Sequence, residues 1–265
     1  MILRGFESAS NGMMSLIDQN DSTANNVANV NTVGYKKQSL MFKNIYDTSV
    51  SQRTPGSDEA TNIGELSIGS QVQKLTYDFS QGTLDSTGNV FDLAIEGDGF
   101  FKIQSPGGDI SYTRNGSLTM NNNGDLVTKD GDYVLDDRGK HIKIKTDGVV
   151  MRSINDIIIN EAGQIELSND QARVTMQKIG LYDFSNKEDM TAIGGSKFKP
   201  IDIKTNPELK AEKFTLKQGS LELSNVNIVN EMIKTISTSR NYEALSKLVQ
   251  SDGESISNVL KVARL

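Results

Sequence analysis

Residues 91–128, FDLAIEGDGFFKIQSPGGDISYTRNGSLTMNNNGDLVT, decide the kind of fold. Phe91, Leu93 and Ile95 alternate with Asp92, Ala94 and Glu96, the period of two that buries one face of a strand. Strand-type runs follow at Phe100–Gln104, Ile110–Arg114, Ser117–Met120 and Leu126–Thr128, then at Tyr133–Leu135 and His141–Lys145. Between them lie Pro106-Gly107-Gly108, Asn115-Gly116, Asn123-Gly124, Asp130-Gly131, Arg138-Gly139 and Asp147-Gly148. Asn-Gly and Asp-Gly supply the positive φ that tight hairpins need. Turns at this density predict a compact antiparallel β domain, barrel-like or sandwich-like.

Outward from this centre the pattern changes on both sides. Residues 46–70 are rich in Ser, Thr, Gly and Asp, contain Pro55-Gly56, and are predicted to form an extended excursion or mobile loop. Residues 200–215, with Pro200, Pro207 and several lysines, are expected to be a return connector. Beyond these, both ends are helical. Ile2, Phe6, Ala9, Met13, Leu16, Asn20, Thr23, Val27 and Val30 follow alternating spacings of four and three, the seam of a coiled coil. At the other end, Val229, Met232, Ile236 and Ser239 form one such run, and Leu245, Val249, Asp252, Ile256, Val259 and Ala263 a second. The two runs differ in register, which predicts a stutter or stammer near Tyr242. The expectation is an α+β protein: N- and C-terminal helices forming a coiled-coil domain, with a central antiparallel β domain. Its expected parts are the N-terminal helix over 1–34, an extended connecting segment over 35–70, a β-rich middle domain over 71–220 and the C-terminal helix over 221–265.

Composition removes several functions. The chain has 265 residues, no cysteine and one histidine, His141. Disulfides, thiol catalysis and thiolate metal sites are excluded, and so is a multi-histidine metal site. A net charge of -6 argues against nucleic acid as the main partner, because phosphate binding wants a basic surface. No apolar run approaches the roughly 18 residues needed to cross a bilayer. The first residues lack the unbroken apolar stretch of a secretory signal peptide, so export would need another route.

The remaining chemical motifs are weak. Gly97-Asp98-Gly99 is followed by Phe100 and Phe101 where a phosphate cradle would open a helix, and it is expected to be a bend between strands. Asn121-Asn122-Asn123-Gly124-Asp125 fails as a calcium loop, because Thr119 and Asp130 would stand where a carboxylate and a glutamate are wanted. Asp92 with Glu96, and Asp136 with Asp137, could form an acid pair only in a cleft that nothing in the sequence indicates. Tyr112-Thr113-Arg114 allows either an ion-pair or stacking role or a plain exposed strand end. No catalytic, cofactor or metal residue is assigned.

One feature stands out. Asn25, Asn26, Asn29 and Asn31 cluster at the end of the first helix, and Asn225, Asn227 and Asn230 at the start of the last. Asparagine is a poor helix-interior residue but a good cap. Seven of them predict an amide network where the helix ends and their neighbours meet, with Gly34 as the positive-φ residue just beyond the first helix.

Here the residues resemble a known family. Asn25-Asn26-Val27-Ala28-Asn29-Val30-Asn31-Thr32-Val33-Gly34-Tyr35-Lys36 is similar to the N-terminal signature of flagellar rod and hook proteins. Leu221 to Asn227, Glu231-Met232-Ile233 and Arg240-Asn241-Tyr242-Glu243 resemble their C-terminal signature. Asp92–Phe101 and Tyr112–Gly116 resemble the central ones. The size resembles basal-body rod proteins of the FlgF/FlgG type. Segment 46–70 is similar to the extended stretch of the distal-rod branch, FlgG. Ser239-Arg240 and the absence of a Gly- and Pro-rich stretch over 200–217 depart from that branch.

The resemblance implies a non-enzymatic structural subunit of the flagellar rod, self-assembling into a helical tube that carries torque from motor to hook. It implies a periplasm-spanning place in the basal body and type III export without a cleaved signal peptide. The implied partners are further copies of the chain, neighbouring rod and hook proteins, the surrounding rings and the export apparatus, with no cofactor. The expected assembly interface comprises Phe6, Met13, Leu16, Asn25, Asn26, Asn29, Val229, Met232, Ile236, Tyr242, Leu245 and Val249. The alternatives are a hook or other flagellar axial protein, and a secreted glycan-binding or glycan-hydrolysing β domain on a helical stalk.

Overall fold

The computed structural model describes the backbone of residues 2–53, 60–144, 156–169 and 172–262, and side chains over 5–44, 71–144, 156–167, 177–255 and 257. The chain divides into two compact units, Met1–Val27 with Gln38–Leu75 and Asn227–Leu265, and Ala28–Lys37 with Thr76–Val226.

The first unit holds the helices α1 (Ile2–Ala28) and α2 (Ile228–Val262). It also holds most of a two-stranded sheet of β1 (Lys37–Arg53) and β2 (Ala60–Asp78). At 1.5 Å per residue, α2 is about 52 Å long. It is capped at its start: the Asn227 side-chain oxygen accepts from the Asn230 amide at 3.1 Å, and Glu231 in the first turn suits the positive end of the helix dipole.

Of the two readings of 46–70, extended excursion or mobile loop, the loop is corrected, since the described residues 46–53 and 60–70 lie in paired strand. The segment's many Ser and Thr with scattered Tyr46, Val50, Ile63, Leu66 and Ile68 suit a ribbon with little apolar surface to bury. Pro55-Gly56 lies outside the described residues, as do Lys145, Asp147-Gly148 and Ala263; the side chains of Ile2, Ile256 and Val259 are likewise not described.

The second unit is built from short strands. In chain order these are β3 (Leu84–Ser86), β4 (Leu93–Gly97), β5 (Phe100–Gln104), β6 (Ile110–Thr113), β7 (Leu118–Met120), β8 (Leu126–Thr128) and β9 (Tyr133–Val134). They continue with β10 (Ile157–Ile159), β11 (Gln164–Asn169), β12 (Ala172–Lys178), β13 (Leu181–Phe184), β14 (Met190–Gly194) and β15 (Lys197–Pro200). The last are β16 (Glu208–Lys210), β17 (Phe214–Gln218) and β18 (Ser220–Glu222). The largest sheet runs β14-β15-β6-β5-β9-β8-β7, with β13 bonded to both β5 and β16. Alternate residues of β5 feed two cores. Phe101 and Ile103 join Leu93, Ile95, Leu126 and Val134 in one, and Phe100 joins Tyr112, Phe184 and Phe198 in the other.

Two expectations are corrected in this unit. His141–Ile144, the described part of that run, is not a strand: Ile142 accepts from Leu126 and donates to Val134, so its two backbone groups serve different neighbours. Residues 200–215 are not a plain connector either, for they contain β16 and the start of β17. Leu216 of β17 is buried opposite Ile95, while Lys217 turns outward to Glu96 at 2.9 Å. The lysines hid the alternation because only the inward positions carry the signal.

The glycines at the turns divide by cause. Gly124 closes the β7–β8 hairpin at φ 85°, where Asn121 accepts from the amides of Asn123 and Asp125. Gly116 is needed for space: a Cβ there would sit 1.6 Å from the Leu93 carbonyl oxygen.

Candidate assembly surface and its buried anchor

Three contacts fix how α1 and α2 lie within their unit. A Cβ on Gly5 would be 3.8 Å from Asp252, one on Gly12 would be 3.2 Å from Leu245, and Asn26 donates to Glu231 at 3.1 Å. As α1 advances, α2 recedes by equal steps, so the helices are antiparallel. The contact line on α1 carries Gly5, Ala9, Gly12, Leu16, Gln19, Thr23 and Asn26, spaced by fours and threes. On α2 it carries Glu231, Thr235, Thr238, Tyr242, Leu245, Val249 and Asp252, spaced likewise. Ala9, Thr23, Asn26, Glu231 and Thr238 on it are buried.

This line corrects the sequence reading twice. It passes Tyr242 without a change of register. On α1 it is turned by one residue from the expected seam, taking Gly5, Gly12, Gln19 and Asn26 in place of Phe6, Met13, Asn20 and Val27. The cause is shared. Small and polar residues take most of the inner positions, alongside Leu16, Tyr242, Leu245 and Val249, and many of the other large apolar residues lie beside or outside them. Met14 is 63% exposed, and Val229, Ile233 and Ile236 are 60%, 58% and 53% exposed. Phe6, Ile17, Met232, Tyr242 and Leu248 are exposed as well.

The expected interface residues therefore fall into two groups. Phe6, Asn25, Val229, Met232, Ile236 and Tyr242 are exposed, while Met13, Leu16, Asn29, Leu245 and Val249 are half-buried and Asn26 is buried. Grooves flank the contact line. One is lined by Gly12, Ser15, Leu16, Gln19, Asn241, Ala244 and Leu245 together with Phe42 of β1, and the other by Leu16, Ile17, Asn20, Thr238, Ser239, Tyr242 and Glu243.

Asn26 and Asn225 act differently from an amide-to-amide network, because each serves mainly backbone groups. Asn26 accepts from the Gln38 amide at 2.8 Å and donates to the Gln38 carbonyl at 2.9 Å. In the second unit, Asn225 accepts from the Lys37 amide at 2.8 Å and donates to the Asp78 and Ser80 carbonyls. Gly34 does have φ 67°, but it stands past a further turn, and a Cβ there would be 2.4 Å from the Asn115 amide nitrogen. Its role is close approach of two backbones, not a helix cap.

The buried anchor of the second unit was not foreseen. Glu222, wholly buried, receives Lys36 Nζ at 2.7 Å on one carboxylate oxygen and Arg114 at 3.3 Å on the other. The Gly82 amide also donates to Glu222 at 2.9 Å, Lys36 donates to the Ser80 carbonyl, and Arg114 to the Gly97 carbonyl. Burial holds the Lys36 ammonium below the ordinary lysine range, opposed by the Glu222 charge. Tyr112-Thr113-Arg114 is thus a buried ion-pairing segment, not an exposed strand end. The sequence signal available was that Lys36, Arg114 and Glu222 are each the one charged residue in a signature stretch otherwise made of apolar and small or amide residues.

The other carboxylates have structural tasks. Asp92 accepts from Thr87 and Asn89, Glu96 pairs with Lys217, and Asp136 accepts from the Arg138 and Lys140 amides. Glu208 takes Lys102 and the Tyr112 hydroxyl, and burial together with that carboxylate pushes the Tyr112 pKa far up. Gly97-Asp98-Gly99 links β4 to β5, and its Asp98 is held below the usual carboxylate range by the bond from Lys187.

A β unit joined to long terminal helices that turn their apolar residues outward defines a structural subunit that works by association. Comparison with known proteins agrees. Three family profiles match: "Flagella basal body rod protein" over residues 6–36, "Flagellar hook protein FlgE/F/G D1 domain" over 94–167, and "Flagellar basal body rod FlgEFG protein C-terminal" over 217–262. The chain is 31% identical to the flagellar basal-body rod protein FlgG of Bacillus subtilis, over 99% of this chain and 100% of that one. It is 34% identical to FlgG of Borreliella burgdorferi, over 98% and 99%. It is 31% identical to FlgF of Mesorhizobium japonicum, over 96% and 95%. The chain belongs to the flagellar basal-body rod proteins of the FlgF/FlgG type, structural proteins of the basal body. Among the described residues no helix is long and apolar enough to cross a membrane.

Proposed function

We propose that copies of this chain assemble into a helical tube in which the terminal helices form an inner coiled-coil layer and the β units lie outside, and that the tube carries torque from motor to hook. The observation that carries this reading is the outward apolar stripe of α1 and α2. Burying such side chains stabilises by roughly 1.5–3 kcal/mol each, and within one chain these residues remain in water. A second copy presenting the same stripes is the partner with matching chemistry. The neighbouring rod and hook proteins, the surrounding rings and the type III export apparatus are further partners of this reading, and export proceeds without a cleaved signal peptide. Segment 46–70 supports the distal-rod branch. In a strain lacking the gene, the level at which basal-body assembly stops, seen by electron microscopy, separates the two branches.

The test of the interface is Ile236→Asp, on the exposed stripe, with Leu16→Asp, on the contact line, as a companion. An unpaired charge in an apolar interface is costly, so motility should be abolished while the second unit keeps its melting temperature. Normal swimming with Ile236→Asp overturns the coiled-coil tube.

A further inference from the structure

The chain passes between its two units at four places, 27/28, 37/38, 75/76 and 226/227. Within the second unit, the roots of all four are tied into one bonded net. The Lys37 amide donates to the Asn225 side-chain oxygen at 2.8 Å, which joins the second root to the fourth. The Asn225 side-chain nitrogen donates to the Asp78 carbonyl at 2.8 Å and lies 3.0 Å from Ser80 Oγ, joining the fourth root to the third. Lys36 Nζ reaches the Ser80 carbonyl and Glu222 Oε1, each at 2.7 Å. The Gly34 amide donates to the Glu222 carbonyl, the Gly82 amide to its carboxylate, and the Leu223 amide to the Thr83 carbonyl. The first root is carried into the net by the turn in which Thr32 bonds Asn29 and Tyr35 bonds Thr32.

These ties share atoms. Glu222 Oε1 serves both Lys36 and the Gly82 amide, and the Ser80 carbonyl serves both Lys36 and Asn225. Losing one member leaves a buried charge or polar group exposed to the loss of its other partners, and that is the condition under which hydrogen bonds open together. Lys36 and Glu222 are almost wholly buried, so neither can turn to water without the segments around it moving.

We infer that Lys36, Glu222 and Asn225 form a single cooperative fastening that couples the root of the N-terminal helix to the root of the C-terminal helix. It opens as one unit, distinct from the β core. The functional consequence rests on the assembly reading: capture of one terminal helix by a neighbouring copy would restrain the root of the other, so both become ordered together.

The experiment is native-state hydrogen exchange on the full chain, dispersed at low concentration in low urea, followed amide by amide by NMR. The amides of Gly34, Lys37, Gly82 and Leu223 should share one opening free energy and one urea dependence, different from those of Ile103 and Leu135 in the core. Asn225→Ala should speed exchange at all four by about the same factor, near tenfold for the roughly 1.4 kcal/mol upper range of one lost hydrogen bond. Faster exchange at Lys37 alone would mean independent bonds and would overturn the fastening. An equal rise at Ile103 and Leu135 would overturn it too, since the node would then be only part of global unfolding. If Asn225→Ala does not fold, the urea series on the unaltered chain decides by itself: four separate isotherms sink the proposal. The readout uses no polymer, so failure of the assembly reading would show in motility and leave this result intact.

Discussion

The two units use apolar residues in opposite ways. In the β unit, Phe100, Phe101, Leu93, Ile95 and Ile103 are wholly buried, and Lys36, Arg114 and Glu222 are buried as an ion-paired group. In the helical unit, the line between α1 and α2 carries Gly5, Ala9, Gly12, Thr23, Asn26, Glu231 and Thr238 beside Leu16, Leu245 and Val249, while Val229, Met232, Ile233 and Ile236 face outward. The β unit holds its stability within one chain. In the helical unit these larger apolar residues stay exposed within one chain, although lone helices gain most of their stability from tertiary burial. Small and polar residues let the helices approach, and Val229, Met232, Ile233 and Ile236 stay exposed outside the line.

The sharpest way to break this comparison is at the buried anchor. Glu222→Ala removes the one carboxylate between Lys36 and Arg114 and strands two buried cations. Breaking a buried pair from one side costs about 3–5 kcal/mol. Urea denaturation of the second unit should show a loss of that size, and a loss under about 1 kcal/mol would mean that water or a neighbour satisfies the cations.

A matched pair of truncations comes next. Ile103→Ala should cost about 2–5 kcal/mol, as expected for a filled core. Ile236→Ala, equally apolar, should stay within about 0.5 kcal/mol in the dispersed chain, yet weaken assembly. Equal losses at both sites would show that the outward stripe is already covered within one chain.

Alkaline pH should also separate the units. Burial raises the pKa of Tyr77, Tyr112 and Tyr182, with the Glu208 carboxylate adding to the last two. The folded state keeps these protons when the unfolded chain, with tyrosine near pH 10, gives them up. The stabilisation is fully present below about pH 10 and is lost as pH rises beyond it. Calorimetry between pH 9 and pH 11 should show the β unit weakening, and Tyr112→Phe should flatten that dependence. A slope unchanged by the substitution would place the titrating groups elsewhere.

A small gain is expected at Gly253, inside α2, where an added Cβ meets nothing within 4 Å. Gly253→Ala should raise helix stability by up to about 1 kcal/mol through propensity alone. Far-UV circular dichroism at low concentration would register it, and a decrease in helicity would mean that the glycine is there for a neighbour.

The sequence by itself determined the classes of element and their order. Periods of two and three to four, Asn-Gly and Asp-Gly turns, and the clustered asparagines depend on local geometry, and local geometry is written in consecutive residues. The β5, β6 and β8 strands and the hairpin at Asn121–Asp125 were legible for that reason. The direction in which a helix faces was not. Apolar spacing marks a stripe but does not say whether that stripe meets its own chain or another, and here Gly12 and Thr23 lie inward while Ile236 lies outward. Nor could the sequence join Lys36, Arg114 and Glu222. Lys36 and Glu222 stand 186 residues apart along the chain and meet only once it is folded, and a charge is indistinguishable from a solvated surface residue until folding removes the water around it.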